Sequence, residues 1–418
     1  MPFAIVAIVL LALVGLPLFA VLGAGSLLYA HNSELDSALL IVELNRLASS
    51  PNLTAIPLFT LAGVILSSGG APQRLIRLFN AMLGWLPGGL SIVAIVACAF
   101  FTSFSGASGV TILALGGLLY PILRKVNYPE RFSLGLLTTS GSLGLLFPPS
   151  LAILLYGVVA GVNIDELFMA GIVPGLVLML ILWIYAAGVG LRFDIPRYDF
   201  CWKTLGSAMR TGFGDLMLPV LIIVGIFGGY VTVSEAAACT ALYVLLLESV
   251  IHRSISLRKQ LIPIFGDTAV LVGSILIILG IAMGLTNLMI DAQVPMRLLE
   301  WMENSIDTPL KFLLLLNIFL LVVGAMMDIF SATVVVVPLI LPIAQRFGID
   351  PVHLGVIFLA NLEIGYSTPP VGINLFIASQ RFEKPVLTLF RSTLPFLALM
   401  LVWLGIVTYV PVLSLWWK

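Results

Sequence analysis

Eleven apolar segments follow one another along this chain, near residues 4–28, 53–70, 87–123, 133–160, 168–190, 215–229, 234–250, 262–290, 310–345, 352–379 and 393–415. A helix that crosses a bilayer needs about 20 mostly apolar residues. No polar block between the segments is long enough for a soluble domain. In hydrocarbon every backbone group must be satisfied within the chain, which leaves helices or a closed barrel. A barrel would alternate polar and apolar residues over ten-residue strands, and these runs are continuous. The chain therefore reads as one all-α polytopic membrane domain over residues 1–418. Only 10% of its residues are charged, against about 25% in a soluble domain. A net charge of +0 gives no footprint for nucleic acid. Cys98, Cys201 and Cys239 stand alone, a pattern that predicts neither a metal cluster nor a disulfide framework. The first 28 residues hold no Lys or Arg, which suits a first membrane helix better than a cleaved leader.

Segments 87–123 and 310–345 are too long for one crossing, and small and polar residues interrupt each midway. Both are expected to be re-entrant hairpins. The basic clusters Arg74/Arg77, Arg124/Lys125/Arg131, Arg192/Arg197/Lys203/Arg210, Arg253/Arg258/Lys259 and Arg381/Lys384/Arg391 then all fall on one side. Arg46, Arg297, Lys311, Arg346 and Lys418 are left on the other. The positive-inside rule makes the rich side cytoplasmic, with the N-terminus inside and the C-terminus outside.

Pro121, Pro148, Pro149 and Pro174 recur as Pro342, Pro369, Pro370 and Pro395, each 221 residues later. "GSLGLLFPPS" (141–150) aligns with "LEIGYSTPPV" (362–371), and Gly144 matches Gly365. The first unit has basic residues before its Pro-Pro pair and Asp165 and Glu166 after it. The second has Arg346 and Asp350 before and Arg381, Lys384 and Arg391 after, so the two units are upside down relative to each other. Inverted repeats with discontinuous helices are a transporter signature, with binding at midplane where the breaks meet.

A Gly-x-x-x-Pro-Pro stretch cannot continue a helix, because each proline removes an N–H and clashes one turn back. The carbonyls so freed need a partner, and a small hard cation takes oxygen ligands well. "TSFSGASGVT" (102–111), at the first hairpin tip, supplies five hydroxyls amid apolar sequence. Ser105 and Ser108 with Gly144, Phe147 and Pro148 form one expected Na⁺ site. The repeat implies a second from Gly324, Met327 and Asp328 with Gly365, Thr368 and Pro369. Ser103, Gly106, Thr111, Ser331 and Thr333 are candidates to contact a substrate. Asp328 and Glu363 are acids well inside apolar runs, where charge is costly and functional by default. They would serve a proton-coupled carrier, but the first unit has no acid at the matching positions, which favours Na⁺.

Other readings stand beside this one. Small residues let membrane helices pack closely, and a Pro-Pro pair can be a plain kink. Glu363 can equally make a structural hydrogen bond. Gly106-Ala107-Ser108-Gly109 also matches the G-x-S-G nucleophile pattern of intramembrane serine proteases. That chemistry needs a base, and only His353 is a candidate. His31, His252 and His353 sit at segment edges and read as solvated, and "TVSEAAA" (232–238) reads as a helix start capped by Ser234.

"AIPLFTLAG" (55–63), "FSGASGVT" (104–111), the two Pro-Pro breaks, "AGIVPGL" (170–176) and "SEAAA" (234–238) together resemble the large membrane subunit of the tripartite ATP-independent periplasmic (TRAP) transporters, over nearly the whole chain. The resemblance implies an elevator-type, Na⁺-driven importer of small organic acids, carboxylates or sulfonates, in the bacterial inner membrane. It implies two partners, a small four-helix membrane subunit and a periplasmic substrate-binding protein. It also puts Na⁺ ligands on the hairpin tips and the Pro-Pro breaks. Here the tip asparagine of some relatives is serine, Thr-Pro-Thr-Glu is Thr232-Val233-Ser234-Glu235, and Gly-Met-Phe-x-Asp is Gly324-Ala325-Met326-Met327-Asp328. The expected organisation is scaffold helices over 1–70, a first repeat over 87–190, loops and scaffold helices over 192–260, and a second repeat over 262–418.

Overall fold

The structure, a computed structural model, describes residues 18–32, 41–42, 45, 51–196, 199–291, 293 and 308–418. Residues 1–17 of the first segment, with Arg46, Arg197 and Arg297, lie outside them. The described residues are helical, with no strand among them. In chain order they form α1 (Leu18–Asn32), α2 (Ala55–Ser68), α3 (Ala71–Leu83), α4 (Gly89–Ser105) and α5 (Ser108–Thr111), which runs through a π turn (Ile112–Gly116) into α6 (Gly117–Lys125). Then come α7 (Glu130–Ser140), a 3-10 turn (Leu143–Leu146), α8 (Leu151–Ala160), α9 (Ile164–Arg192), α10 (Trp202–Phe227), α11 (Val233–Leu246) and α12 (Leu257–Asp291). The last are α13 (Pro309–Met326), α14 (Ile329–Arg346), α15 (Pro351–Gly365), α16 (Ile373–Phe382) and α17 (Val386–Tyr409). Among the described residues seven helices are long and apolar enough to cross a membrane.

Helix α10 begins at Trp202, well before the apolar segment expected near 215. Its first turns, "WKTLGSAMR", are polar on one side, so a hydropathy reading stops short. Lys203 and Arg210 therefore sit on a helix rather than in a loop. Two further expectations need correcting. The cap of α11 is Thr232, not Ser234: the Thr232 hydroxyl accepts from the Glu235 N–H, and the Glu235 carboxylate accepts from the Thr232 N–H. And Arg74, counted in a basic cluster between apolar segments, sits on helix α3. Its guanidinium donates to both oxygens of Asp215, at 2.7 and 2.8 Å, and to Glu248, with both acids fully buried. One arginine thus ties α3 to α10 and to the turn after α11.

The two units meet head to tail. Lys384, after α16, pairs with Glu130 at the start of α7 (2.7 Å). Lys418 bonds Asp350 at the start of α15 (2.8 Å) and reaches Glu166 at the start of α9 (3.4 Å). Residues before the first Pro-Pro stretch thus lie beside residues after the second, and Lys418 links those after the first to those before the second. Their helices interleave: α17 packs along α7, and α8 along α14. A Cβ at Gly135 of α7 would come within 2.1 Å of the Ser392 carbonyl of α17.

His353 is a third correction. It is buried, not solvated, because the chain beyond α17 folds back over it. Its Nδ1 lies 2.5 Å from the Ser414 hydroxyl and its Nε2 lies 3.2 Å from the Thr408 carbonyl. Beyond it, Thr408 and the Asn361 amide both meet Asn317. His353→Ala is expected to cost about 2–3 kcal/mol, since it strands buried polar groups. Lys418→Ala, at the exposed end of the same clasp, should cost under ~1 kcal/mol. Thermal melts of the detergent-solubilised protein check the order, and equal losses would refute the clasp as described.

Candidate substrate and ion site

Each long segment is an interrupted helix. The first breaks at Gly106-Ala107, where Gly106 takes a left-handed φ of 66°. The second breaks at Met327-Asp328, both extended. The Pro-Pro stretches interrupt the helices that follow, at 147–150 and 366–372, and Pro148-Pro149 and Pro369-Pro370 are both cis.

Each tip lies against the Pro-Pro break of its own unit. Gly144 leaves room for the first tip: a Cβ there would sit 2.3 Å from the Ala99 carbonyl and 2.4 Å from the Ser103 N. The Thr102 hydroxyl donates to the Gly141 carbonyl (2.8 Å) and meets Thr111 Oγ1 at 2.6 Å, with Ser105 Oγ 3.5 Å from Thr111. In the second unit a Gly365 Cβ would lie 2.3 Å from the carbonyl carbon of Gly324. The N–H groups of Val371 and Gly372 both donate to the Ala325 carbonyl at 3.1 Å, and the Ile329 N–H donates to the Tyr366 hydroxyl at 2.6 Å.

The candidate residues therefore divide. Ser105, Thr111 and Gly144 come together at the first tip. The Phe147 ring packs instead on Gly175 of α9. Gly324, Met327, Asp328 and Gly365 come together at the second tip. The Gly144, Phe147 and Gly365 carbonyls each accept a turn hydrogen bond, from Phe147, Ser150 and Thr368. A carbonyl has two lone pairs, so one remains for a cation. Thr368 donates its hydroxyl to the Ile364 carbonyl, Ser103 to Phe100, and Thr333 to Ile329. Pro148 is buried, whereas Pro369 is exposed.

Asp328 caps α14. One oxygen accepts the N–H groups of Phe330 and Ser331, both at 3.0 Å, and the other accepts the Ser331 hydroxyl. Glu363 differs: it is fully buried, and neither oxygen has a hydrogen-bond partner among the described residues.

Ser108 reaches across the repeat. Its hydroxyl donates to Asn374 Oδ1 at 2.7 Å, joining the first tip to α16 of the second unit. The Asn374 amide nitrogen is buried and has no partner among the described residues. Sequence reasoning missed Asn374 and Tyr366, because their roles depend on contacts with residues 266 and 37 positions away. A Ser108→Ala/Asn374→Ala double-mutant cycle should show a coupling of about 0.5–1.5 kcal/mol in thermal stability. Additive losses would mean the bond contributes nothing.

Between the tips lies a cavity of about 320 Å³, at the small end of the ~300–1,000 Å³ typical of ligand sites. The first tip gives it Gly106–Val110, the second Asp328–Phe330, and the second break Tyr366, Ile373 and Ile377. Of the residues expected to contact substrate, Gly106 lines it, while Ser103, Thr111, Ser331 and Thr333 do not. Among the described residues no Lys or Arg lines it, and Asp328 is its one charged residue. Two helices start at its wall, at Ser108 and Ile373, and neither has a side-chain cap. Helix N-termini favour anions.

Broken helices packed on interrupted helices, around a small cavity, define the membrane-embedded part of a solute transporter. The family model for the tripartite ATP-independent periplasmic transporter, DctM component, matches residues 5–413, and the chain belongs to that family. It is a transport component and not an enzyme. It is 34% identical to a C4-dicarboxylate TRAP transporter large permease protein DctM of Vibrio cholerae, over 97% of this chain and 94% of that protein. It is 36% identical to an isethionate TRAP transporter permease protein DctMQ of Oleidesulfovibrio alaskensis, over 87% of this chain and 57% of that longer protein. In fold it resembles the YdaH transporter of Alcanivorax borkumensis, with a TM-score of 0.63, 15% identity, and coverage of 91% of this chain and 87% of that one. The protease reading falls away: Ser108 donates to Asn374, and His353 is held by Ser414 and Thr408.

Proposed function

We propose that this chain is a Na⁺-coupled secondary importer of small organic acids, carboxylates or sulfonates. It works by an elevator movement in the bacterial inner membrane, with its N-terminus cytoplasmic and its C-terminus periplasmic. Its partners are a small four-helix membrane subunit and a periplasmic binding protein that delivers the substrate. One observation carries the reading: a single cavity joins Asp328, a carboxylate held by three donors, to the uncapped helix starts at Ser108 and Ile373. The Asp328 oxygens and the tip carbonyls suit a hard cation, and helix N-termini suit the anion carried with it. The relatives named for C4-dicarboxylates and isethionate carry solutes of that kind.

The energy suffices without ATP. Each Na⁺ moved inward releases ~2.3 kcal/mol per 100 mV, and a tenfold gradient adds ~1.4 kcal/mol. Two ions supply ~7 kcal/mol, or roughly 10⁵-fold accumulation of a neutral solute.

The test is uptake into proteoliposomes that hold all three components. An inward Na⁺ gradient should drive uptake, and K⁺ with a pH gradient should not. Proton coupling is the second reading, and the unpartnered Glu363 carboxyl favours it. Uptake driven by pH alone and abolished in Glu363→Gln would replace the Na⁺ reading with that one.

A further inference from the structure

A second site lies far along the fold from the tips, where α3 meets the start of α10. Helix α3 turns by 77° from α2. If α2 crosses the bilayer, α3 must run nearly along its surface. The sequence of α3 suits that position: Leu75, Ile76, Leu78 and Phe79 are buried in the protein, while Gln73 and Arg77 face outward. Beside it opens a cavity of about 660 Å³, lined by Arg77, Asn80 and Trp85 from the α3 side and by Asp199, Lys203 and Thr211 from the α10 side. Arg77 and Thr211 also line an adjoining cavity of about 510 Å³, which reaches His252 and Ser254.

Three observations describe what this space would hold. Its cations are uncommitted: among the described residues neither Arg77 nor Lys203 has an ion-pair partner, whereas Arg74 next door is consumed by Asp215 and Glu248. It also holds an acceptor, Asp199, in the same wall. Finally, its rim is aromatic. Trp85, Phe200 and Trp202 form an edge-to-face chain with centroids 6.2 and 4.9 Å apart, and all three are exposed. Exposed Trp beside basic residues marks the level of lipid headgroups, and basic pockets at that level take anionic ones.

We infer that this cavity binds the headgroup of a glycerophospholipid whose phosphodiester is followed by a hydrogen-bond donor, a glycerol hydroxyl or an ammonium. Arg77 and Lys203 hold the phosphate. Asp199 accepts from the donor beyond it. The aromatic chain lies along the glycerol backbone and the first acyl carbons. A headgroup without donors, such as choline, gives Asp199 no hydrogen bond, and that distinguishes the lipids. The inference uses only membrane insertion, so it stands or falls apart from Na⁺ coupling.

Native mass spectrometry of the full-length detergent-solubilised chain tests it, with phosphatidylglycerol, phosphatidylethanolamine and phosphatidylcholine titrated in turn. Inorganic phosphate and glycerol 3-phosphate serve as soluble competitors. Phosphatidylglycerol or phosphatidylethanolamine should form a saturable one-to-one adduct at least tenfold tighter than that of phosphatidylcholine. Arg77→Gln and Lys203→Gln should each weaken the adduct about fivefold. Arg77→Lys should largely restore it, and Lys259→Gln, exposed on α12 outside the cavity, should leave it unchanged. Melting curves of each variant confirm that it folds. Equal binding of all three lipids, or no loss in the folded Arg77→Gln/Lys203→Gln protein, overturns the inference. So does full displacement by millimolar glycerol 3-phosphate, which would make this a site for a soluble phosphate.

Discussion

Asp328→Asn is expected to raise the Na⁺ concentration for half-maximal uptake by about 10- to 100-fold while leaving the melting temperature close to that of the parent. The two effects separate because Asp328 does two things. It caps α14 through the Phe330 and Ser331 N–H groups, and it puts a carboxyl oxygen at the cavity wall. Asparagine caps a helix about as well as aspartate. It cannot replace the charge, and an interaction with a charged group is worth about 1.5–3 kcal/mol. Asp328→Ala removes the cap as well, at a further ~1 kcal/mol of stability. If the asparagine variant keeps its Na⁺ dependence, Asp328 is a cap and nothing more, and the ion must rest on carbonyls alone.

Gly365→Ala should be equally severe for a different reason. Its Cβ would lie 2.3 Å from the carbonyl carbon of Gly324 and 2.8 Å from the Ala325 N. Those are backbone atoms at the second tip, and no rotamer change can move them. The tip must retreat from the break, which costs about 1–3 kcal/mol of overpacking and an expected 10- to 100-fold in uptake. Gly405→Ala is the control, since nothing lies within 4 Å of a Cβ there. Parental uptake in Gly365→Ala would mean that tip and break part during transport.

The sequence made much of the fold legible, because its strongest signals are local. Pro148-Pro149 and Pro369-Pro370 each end a helix wherever they occur. Gly106 and Asp328 mark the interruptions of the two long segments, and both lie at breaks. The Thr232 cap was readable as well: Thr-x-x-Glu over 232–235 is a capping box, and Ser234 lacks the spacing. What stayed hidden depends on distant partners. His353 looks solvated at the edge of its segment and is buried only because Ser414 arrives 61 residues later. Arg74 counts only as one of a basic cluster until Asp215 and Glu248 are brought to it. Asn374 carries no motif of its own, and only its contact with Ser108 singles it out.

The interleaving of the two units also sets an order of assembly. Helix α7 packs on α17, which begins about 250 residues further along the chain. At a synthesis rate of ~5–20 residues per second, the first half waits roughly 12–50 s for the second. Through that wait the face of α7 around Gly135, shaped to receive the Ser392 carbonyl, has only lipid against it. Hydroxyls such as Ser108, whose acceptor Asn374 has yet to be made, are unpaired in hydrocarbon. The nascent chain is thus most vulnerable midway through synthesis.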